Sequence, residues 1–249
     1  MPTSLLCIMG SSLLLCAIAL LGGLTVLLRE QTVKRLLLPL VALSAGSLLG
    51  GALFHMMPAA VESLGNGPRT YAWIGAGFMA MFVLEQFLRW HHCHGSRSDH
   101  DHQPVTYLLL AAGGLHKFLA GVVVGAAFVL DIRLGFVTLL AEAAHEVPQE
   151  LGDFGVLVHA GWSARRALAY NLACALTFPV GGLLTYAAAG AVDVAPLVPF
   201  AAGNFVYIAA ADLVPEINRH EKLGKSLLHM VTFVGGLGAL LAARLAFGH

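Results

Sequence analysis

A polar stretch, His145-Glu146-Val147-Pro148-Gln149-Glu150-Leu151-Gly152-Asp153, lies inside one of the long apolar segments of this chain. The stretch contains four ionisable side chains and a proline, although an ionised side chain near the centre of a bilayer costs at least ~2.5–3.5 kcal/mol. Such groups persist at this depth when they face the interior of a helix bundle and bind a partner there. The stretch therefore predicts a polytopic membrane protein with a cation site in its middle.

The composition of the whole chain agrees with a membrane protein. Of the 249 residues, 58% are hydrophobic and only 11% are charged, whereas soluble domains contain roughly 25% charged residues. The formal net charge is zero, so a nucleic acid is not expected as a partner. The four cysteines are scattered and form no CxxC or disulfide pattern. With so little polar surface available, lipid is expected to cover much of the exterior.

Apolar runs of about 20 residues, the length that crosses a bilayer core, define the predicted helices. They are Ser4–Leu28, Leu36–Ala60, Thr70–Leu88, Val105–Leu130, Leu134–Ala160, Ala167–Gly190, Ala195–Val214 and Leu227–Phe247. The first run is predicted to be a retained helix rather than a signal peptide, because residues 1–10 contain no Lys or Arg. Short connections between the runs predict an all-α fold in which residues 1–249 form one domain of eight transmembrane helices.

The distribution of positive charge between the loops predicts the orientation of these helices. One set of loops carries ten of the fourteen Lys and Arg residues, which are Arg29, Lys34, Arg35, Arg89, Arg97, Arg165, Arg166, Arg219, Lys222 and Lys225. The opposite set carries only Arg69, Arg133 and Arg244, while Lys117 lies inside a predicted span. Because cytoplasmic loops carry the excess of positive charge, both termini are predicted to lie outside the cytosol.

Polar side chains of the fifth predicted span share one face of its helix. At about 100° per residue the face consists of Glu142, Glu146, Gln149 and Asp153, with His145 and Glu150 on its flanks. Imidazole and carboxylate ligands suit a borderline divalent ion such as Zn²⁺, with Fe²⁺, Mn²⁺ and Cd²⁺ as less distinguishable alternatives. The fourth span contributes His116 and Lys117, which a tight hairpin at residues 131–133 is expected to bring against this face.

The region from Gly114 to Ser163 resembles the signature region of the ZIP (Zrt/Irt-like) family of divalent-metal transporters. In that family the fourth helix typically reads His-Asn-Phe-x-Asp/Glu-Gly and the fifth reads His-Glu-x-Pro-His/Gln-Glu-x-Gly-Asp. The match to the second pattern, from His145 through Asp153, is nearly complete. The resemblance implies a homodimer-forming metal permease with a binuclear-type centre between the fourth and fifth helices.

The resemblance also implies roles for individual residues. By position, His116, His145 and Gln149 match the residues that line the primary metal site of the family. Glu146, with Gln149 as a bridge, matches the neighbouring secondary site. The complete predicted metal-binding set is His116, His145, Glu146, Gln149, Glu150 and Asp153.

Two positions depart from the family pattern. Ala120 stands where the family has Asp or Glu, so that one anionic ligand is missing from the primary site. Lys117 stands where the family has an Asn ligand and places an ammonium group where a second cation would lie. We hypothesise that Lys117 pairs with Glu146 or Glu150 and takes the place of the second metal, which leaves one working site.

Further candidate residues lie at the ends of the predicted spans. His55 and Glu62 are seven residues apart near the outer end of the second span and predict an entrance site, although His55 could equally be hydrogen-bonded to a neighbouring helix. Asp212 and His159, near the cytosolic ends of the seventh and fifth spans, are the candidates for the exit path. A helix cap for Asp212 and an interfacial histidine without a function are the alternatives there.

The predicted cytosolic loop at about residues 90–104 has a metal-binding composition. It lacks a fixed zinc-finger spacing, so we expect a loose acceptor for exported ions with a regulatory role. A soluble polar linker is the alternative. The candidate ligands are His91, His92, Cys93, His94, His100 and His102.

Together these features predict an integral protein of the plasma membrane that moves a divalent transition metal, foremost Zn²⁺, into the cytosol. No P-loop or dinucleotide fingerprint is present, so the ion gradient or the membrane potential is the expected driving force and no catalytic cofactor is expected. Two alternatives stay open. One is a family member that does not transport and acts as a metal-sensing or structural membrane protein. The other is an intramembrane metallohydrolase, which is disfavoured because Gln149 replaces the last histidine of the His-Glu-x-x-His pattern, so no enzymatic activity is expected.

Overall fold

The computed structural model describes residues 2–26, 30–94, 103–159, 161–218 and 223–247. Within these ranges the chain is helical apart from short turns, and they contain no strand, which confirms the predicted all-α class. The helices are α1 (Pro2–Ile18, extended by a 3-10 helix at Ala19–Val26), α2 (Glu30–Gly51), α3 (Met57–Leu64), α4 (Pro68–His94), α5 (Gln103–Leu130), α6 (Ile132–His159), α7 (Ala164–Ala175), α8 (Thr177–Ala188), α9 (Leu197–Tyr207), α10 (Val214–Asn218) and α11 (Leu223–Phe247).

Several of these helices join end to end, so that the described ranges form eight rods at the positions of the eight predicted spans. A π-helical turn at Ala52–Met56 joins α2 to α3, and another at Ile208–Leu213 joins α9 to α10. Helices α7 and α8 follow each other with only Leu176 between them. The two π-helical turns were not predicted from the sequence.

Five of the described rods are long and apolar enough to cross a membrane. They are Thr3–Gly23, Leu36–Leu64, Gly113–Leu130, Ala164–Ala188 and Ser226–Ala246. The seventh rod has only a short apolar helix, Leu197–Ala211, and α6 is less apolar because it contains the carboxylates of the predicted site. The structure therefore confirms the helical nature of all eight predicted segments and supports membrane insertion, while the orientation of the termini stays a prediction.

Helices α5 and α6 lie at the centre of the bundle because they contribute to two hydrophobic cores. One core is built around Ile8 and Phe178, from α1 and α8, and includes Phe128 of α5. The other core is built around Met56 and Phe205 and includes residues from both α5 and α6. A pair of helices with apolar contacts on both sides is shielded from lipid, which is where polar side chains are tolerated.

The connection between α5 and α6 is a single residue, Asp131. Its carboxylate accepts a hydrogen bond of 2.8 Å from the backbone N–H of Leu134 and so caps the first turn of α6. The predicted tight hairpin is confirmed. Helix α6 then continues without a break through Pro148, which holds the polar stretch on one helix beside α5.

Helix α5 approaches α8 closely at two glycines that face each other. A Cβ atom added to Gly121 would lie 2.2 Å from the carbonyl oxygen of Phe178, and one added to Gly181 would lie 2.2 Å from the carbonyl oxygen of Phe118. Small residues of this kind let helix backbones come together in lipid. The contact fixes how α5 is rotated and therefore which of its side chains point towards α6.

A similar approach joins α2 to α11. A Cβ atom added to Gly46 would lie 2.0 Å from the carbonyl oxygen of Phe233, as expected for a glycine at a helix crossing. Within the glycine-rich part of α11, only Gly236 makes such an approach, whereas Gly235 and Gly238 have no described atom within 4 Å of an added Cβ.

Candidate metal centre

A buried ion pair stands where α5 meets α6. The ammonium of Lys117 donates a hydrogen bond to Oε1 of Glu150, and its Nζ lies 3.2 Å from Oε1 of Glu146. Lys117 is 1% exposed and both glutamates are fully buried. Charges at this depth are stable only when they are paired. The hypothesised pairing of Lys117 is therefore present, and it engages both glutamates, whereas its replacement of a second metal stays a prediction.

Glu150 is held from a second side by α7. The amide nitrogen of Asn171 donates a 2.6 Å hydrogen bond to Oε2 of Glu150, so that both carboxylate oxygens are engaged. Asn171 is 2% exposed. Asn171 was not assigned to the site from the sequence. An intramembrane amide predicts a hydrogen bond to another helix, but the sequence does not show which residue accepts it.

Three potential ligand side chains converge next to this ion pair. One ligand atom from each of His116, Glu142 and Glu146 lies within 4.8 Å of the other two. Nε2 of His116, Oε1 of Glu142 and Oε2 of Glu146 are buried and take part in no hydrogen bond, whereas Oε1 of Glu146 is the oxygen that faces Lys117. Buried polar atoms without a partner are rare in folded proteins. An imidazole nitrogen with carboxylate oxygens is a donor set that binds borderline divalent ions.

His145 lies beside this group and is oriented by side chains on both sides. Its ring stands edge-on to that of His116, with 5.5 Å between the ring centroids, and its Nδ1 is 3.4 Å from Oγ of Ser44 on α2. Gln149 and Asp153 follow His145 by one and about two turns of α6, on the predicted face of the helix.

The largest difference from the sequence-based site concerns Glu142. It lies on the predicted face of α6 but had no predicted ligand role, and the structure places it opposite His116. Ala120, one turn after His116 on α5, is 5% exposed and offers no ligand. The helical period predicts which residues share one face of α6. It does not predict which residue of α5 lies opposite Glu142, because that depends on the position of α5 relative to α6 along the helix axes.

The two entrance candidates line a common cavity of about 610 Å³. Nε2 of His55 is 2.7 Å from the carbonyl oxygen of Leu240, so the alternative prediction of a hydrogen bond to a neighbouring helix is confirmed. Glu62 has a largely exposed side chain and lies 3.7 Å from Arg244. The polar residues that line the cavity are His55, Glu62, Asp131, Arg133 and Arg244.

The exit and loop candidates fall outside the side chains that the structure describes, so these predictions are unchanged. They are Asp212, His159, His91, His92, Cys93, His94, His100 and His102.

Comparison with known proteins identifies the family. The family described as ZIP zinc transporter matches residues 3–105 and 91–243, which together are most of the chain. The chain belongs to the ZIP family. The resemblance seen in the sequence is thereby confirmed, and the residues matched include His116, Glu142 and Glu146.

Curated relatives of this ZIP family member are named as zinc transporters. Zinc transporter foi of Drosophila melanogaster is 40% identical over 146 residues, which are 58% of this chain and 21% of that protein. Zinc transporter zipt-7.1 of Caenorhabditis briggsae is 26% identical over 271 aligned positions, covering 81% of this chain and 69% of the relative. Zinc transporter ZIP13 of Pongo abelii is 29% identical over 231 residues, covering 85% and 68%. The chain thus spans 21% of the length of the first of these relatives.

Proposed function

We propose that this ZIP family member carries a divalent transition-metal ion, foremost Zn²⁺, across the membrane through the centre between α5 and α6. The observation that carries the proposal is the convergence of buried ligand atoms on His116, Glu142 and Glu146, of which Nε2 of His116, Oε1 of Glu142 and Oε2 of Glu146 take part in no hydrogen bond. His145 lies beside them, with its ring centroid 5.5 Å from that of His116. An ion enters such a site by exchanging part of its water for imidazole and carboxylate, which Mg²⁺ does reluctantly.

In this proposal Glu150 positions Lys117 rather than binding the ion. Both oxygens of Glu150 are engaged, by Lys117 and by Asn171. A role for Glu150 as a direct ligand would require these hydrogen bonds to break. Asp153 lies further along the same face of α6, towards the proposed cytosolic side.

Lys117 reduces the negative charge available to cations in the centre. When ionised, Glu142, Glu146, Glu150 and Asp153 carry a formal charge of −4, which two divalent cations would balance, and Lys117 lowers it to −3. A second divalent cation would then leave a net positive charge in a desolvated pocket, which is costly. This supports the hypothesis that Lys117 takes the place of a second metal.

The direction proposed for transport is into the cytosol. Ten Lys and Arg residues lie in one set of loops and three in the other, which supports external termini. The cavity at His55 and Glu62 is then the entrance, while Asp212, His159 and the histidine-rich loop lie on the exit side. A negative membrane potential draws a cation inward along this route. We further propose a homodimer in the plasma membrane, as the family resemblance implies.

Zinc uptake into vesicles tests the proposed function. Vesicles with the wild-type chain are expected to accumulate radioactive zinc, and a His145→Ala/Glu146→Ala double substitution is expected to lower the rate by roughly 100-fold or more, since substitutions around metal ligands alone cost 10–100-fold. The matched control is Glu85→Gln, which alters a carboxylate of α4 that accepts a hydrogen bond from Tyr207. This control is expected to retain uptake.

The outcomes separate the proposal from its alternatives. Equal uptake by the wild-type chain and the double variant would contradict the assignment of the site. A wild-type chain that binds zinc but accumulates none would favour the metal-sensing or structural protein.

The charge balance at the proposed entrance predicts a gain of uptake on removing an arginine. Arg244→Gln leaves Glu62 and Asp131 facing a single Arg133 in the cavity, so the local concentration of cations rises. At low ionic strength we expect the KM for zinc to fall about two- to fivefold, and the difference to shrink at about 0.5 M salt because of screening. Arg69→Gln is the control, because Arg69 is exposed and does not line the cavity. An unchanged KM would argue against this cavity as the entrance.

A further inference from the structure

We propose that Glu142 is a direct ligand of the transported ion and supplies, from α6, the anionic ligand that Ala120 fails to supply from α5. This inference rests on the function proposed above and adds to it the residue that determines where the ion binds. The position of the ion is then next to His116, Glu142 and Glu146, on the side of the Lys117 ion pair that faces the start of α6.

Helix geometry brings the two carboxylates to one place. Glu142 and Glu146 are four residues apart on α6, so they lie one above the other on the same face. Both face α5, where His116 supplies the third ligand atom, and the three atoms lie within 4.8 Å of one another. Ligand atoms around tetrahedral zinc are roughly 3.3–3.6 Å apart, given bonds of about 2.0–2.2 Å. Side-chain rotations that move the ligand atoms by about 1 Å would therefore bring all three within bonding distance of one zinc ion.

The surroundings of Glu142 show why a cation belongs there. Its side chain is 1% exposed, and its Oε1 has no hydrogen-bond partner. Lys117, the cation at this depth, is directed to Glu150 and Glu146 instead. Among the described residues no ion pair involves Glu142. A buried carboxylate in such a place is expensive unless it is paired or coordinates a metal.

The position of Ala120 explains why α6 has to provide this ligand. Ala120 follows His116 by one turn and is buried on α5, so a carboxylate at this position would share the face of His116. The methyl group of alanine cannot bind a metal. Glu142 on the neighbouring helix brings a carboxylate beside His116, and in this proposal it takes over the role of the missing α5 ligand without changing the charge.

The inference also removes Gln149 from the direct ligands. It lies seven residues, about two helical turns, further along α6 than Glu142. Replacement of Gln149 by Ala is therefore expected to weaken zinc binding much less than a change at Glu142.

Equilibrium dialysis of the purified full chain against Zn²⁺, with bound metal measured by mass spectrometry, tests the inference. The wild-type chain is expected to bind one zinc ion tightly, in addition to zinc held loosely by the loop at residues 90–104. In Glu142→Gln, which preserves the shape of the side chain, we expect the dissociation constant of the tight site to rise about 100-fold or more, at or above the upper end of the effect of changing residues that only support metal ligands. Adding Ala120→Glu to this variant is expected to restore the affinity to within about tenfold of the wild type. Glu85→Gln is again the control, and its affinity is expected to be unchanged.

Each result decides a different point. If Glu142→Gln binds zinc as tightly as the wild type while the His145→Ala/Glu146→Ala variant does not, the inference is overturned and the proposed function stands. If the wild-type chain binds no zinc, both are overturned. If Glu142→Gln loses affinity and Glu142→Gln/Ala120→Glu does not regain it, Glu142 does not stand in for a ligand at position 120. Thermal unfolding without metal shows that the variants are folded, since Gln in place of a buried, unpaired carboxylate is expected to leave the midpoint unchanged or higher.

Discussion

Replacing Lys117 by Asn is expected to destabilise the metal-free protein by about 3–5 kcal/mol and to raise the number of zinc ions bound per chain from one to two. The wild-type ammonium is shared by Glu146 and Glu150 in a pocket from which water is excluded. Removing one partner of such a group leaves buried charge without compensation, which is the most damaging way to break an ion pair. Asn restores the residue that the family pattern has at this position and offers an oxygen ligand in place of a cation.

Zinc should reverse the loss of stability in this variant. A ligand that binds only the folded state adds about 2.7 kcal/mol at 100 times its dissociation constant. We therefore expect the unfolding midpoint of Lys117→Asn to rise steeply with zinc concentration, and the midpoint of the wild type to rise less. Thermal unfolding in detergent with and without zinc measures this difference, and metal analysis gives the number of ions.

Lys117→Arg is the matched control because it keeps the positive charge, and it is expected to retain one zinc ion per chain. A count of one ion in Lys117→Asn would show that the ammonium does not take the place of a second metal. Unchanged stability of the metal-free variant would show that Glu146 and Glu150 do not depend on Lys117 for their compensation.

The second large effect is expected at the crossing of α5 and α8. Gly121→Ala should lower the free energy of unfolding by about 3 kcal/mol, at the upper end of typical overpacking. The added Cβ would lie 2.2 Å from the carbonyl oxygen of Phe178, whereas such C···O contacts are normally roughly 3.3–3.6 Å. The neighbour is backbone and cannot rotate away, so the helices have to separate by about 1 Å and the apolar contacts around the crossing are weakened.

Gly113→Ala on the same helix is the control for this prediction. A Cβ atom at Gly113 has no described atom within 4 Å, so the change only removes the flexibility of glycine and is expected to stabilise the helix by up to about 1 kcal/mol. Thermal unfolding of both variants in the same detergent should thus shift in opposite directions. Similar shifts for the two would contradict the close approach of α5 and α8.

The helices and the polar face of α6 follow from the sequence because both depend on local patterns. Hydropathy located the eight rods, and the period of the α-helix grouped Glu142, Glu146 and Asp153 on one side. The contacts between side chains of different helices could not be predicted from these local patterns. Lys117 had two candidate carboxylates, and Glu142 had no role until the offset of α5 was known. That offset is set by contacts such as Gly121 against Phe178, which lie far apart in sequence.

The two π-helical turns were missed for a related reason. Each inserts one extra residue into a helical turn and changes the direction of the side chains that follow. Each is followed two residues later by a proline, Pro58 or Pro215, whose ring disturbs the preceding turn, but the sequence does not show which irregular turn results. One of them carries His55, whose ring reaches the carbonyl of Leu240 on α11. Tertiary packing rather than local preference determines such irregular turns.

The single residue that links α5 to α6 leaves no slack between the two helices. Sliding one past the other by a turn, about 5.4 Å, would require the start of α6 to unwind and Asp131 to release its cap. The groups contributed by the two helices therefore keep their register as long as the Asp131 cap and the first turn of α6 hold. Whatever rearrangement opens the pocket to one side or the other has to displace this hairpin as a unit, against the helices that surround it.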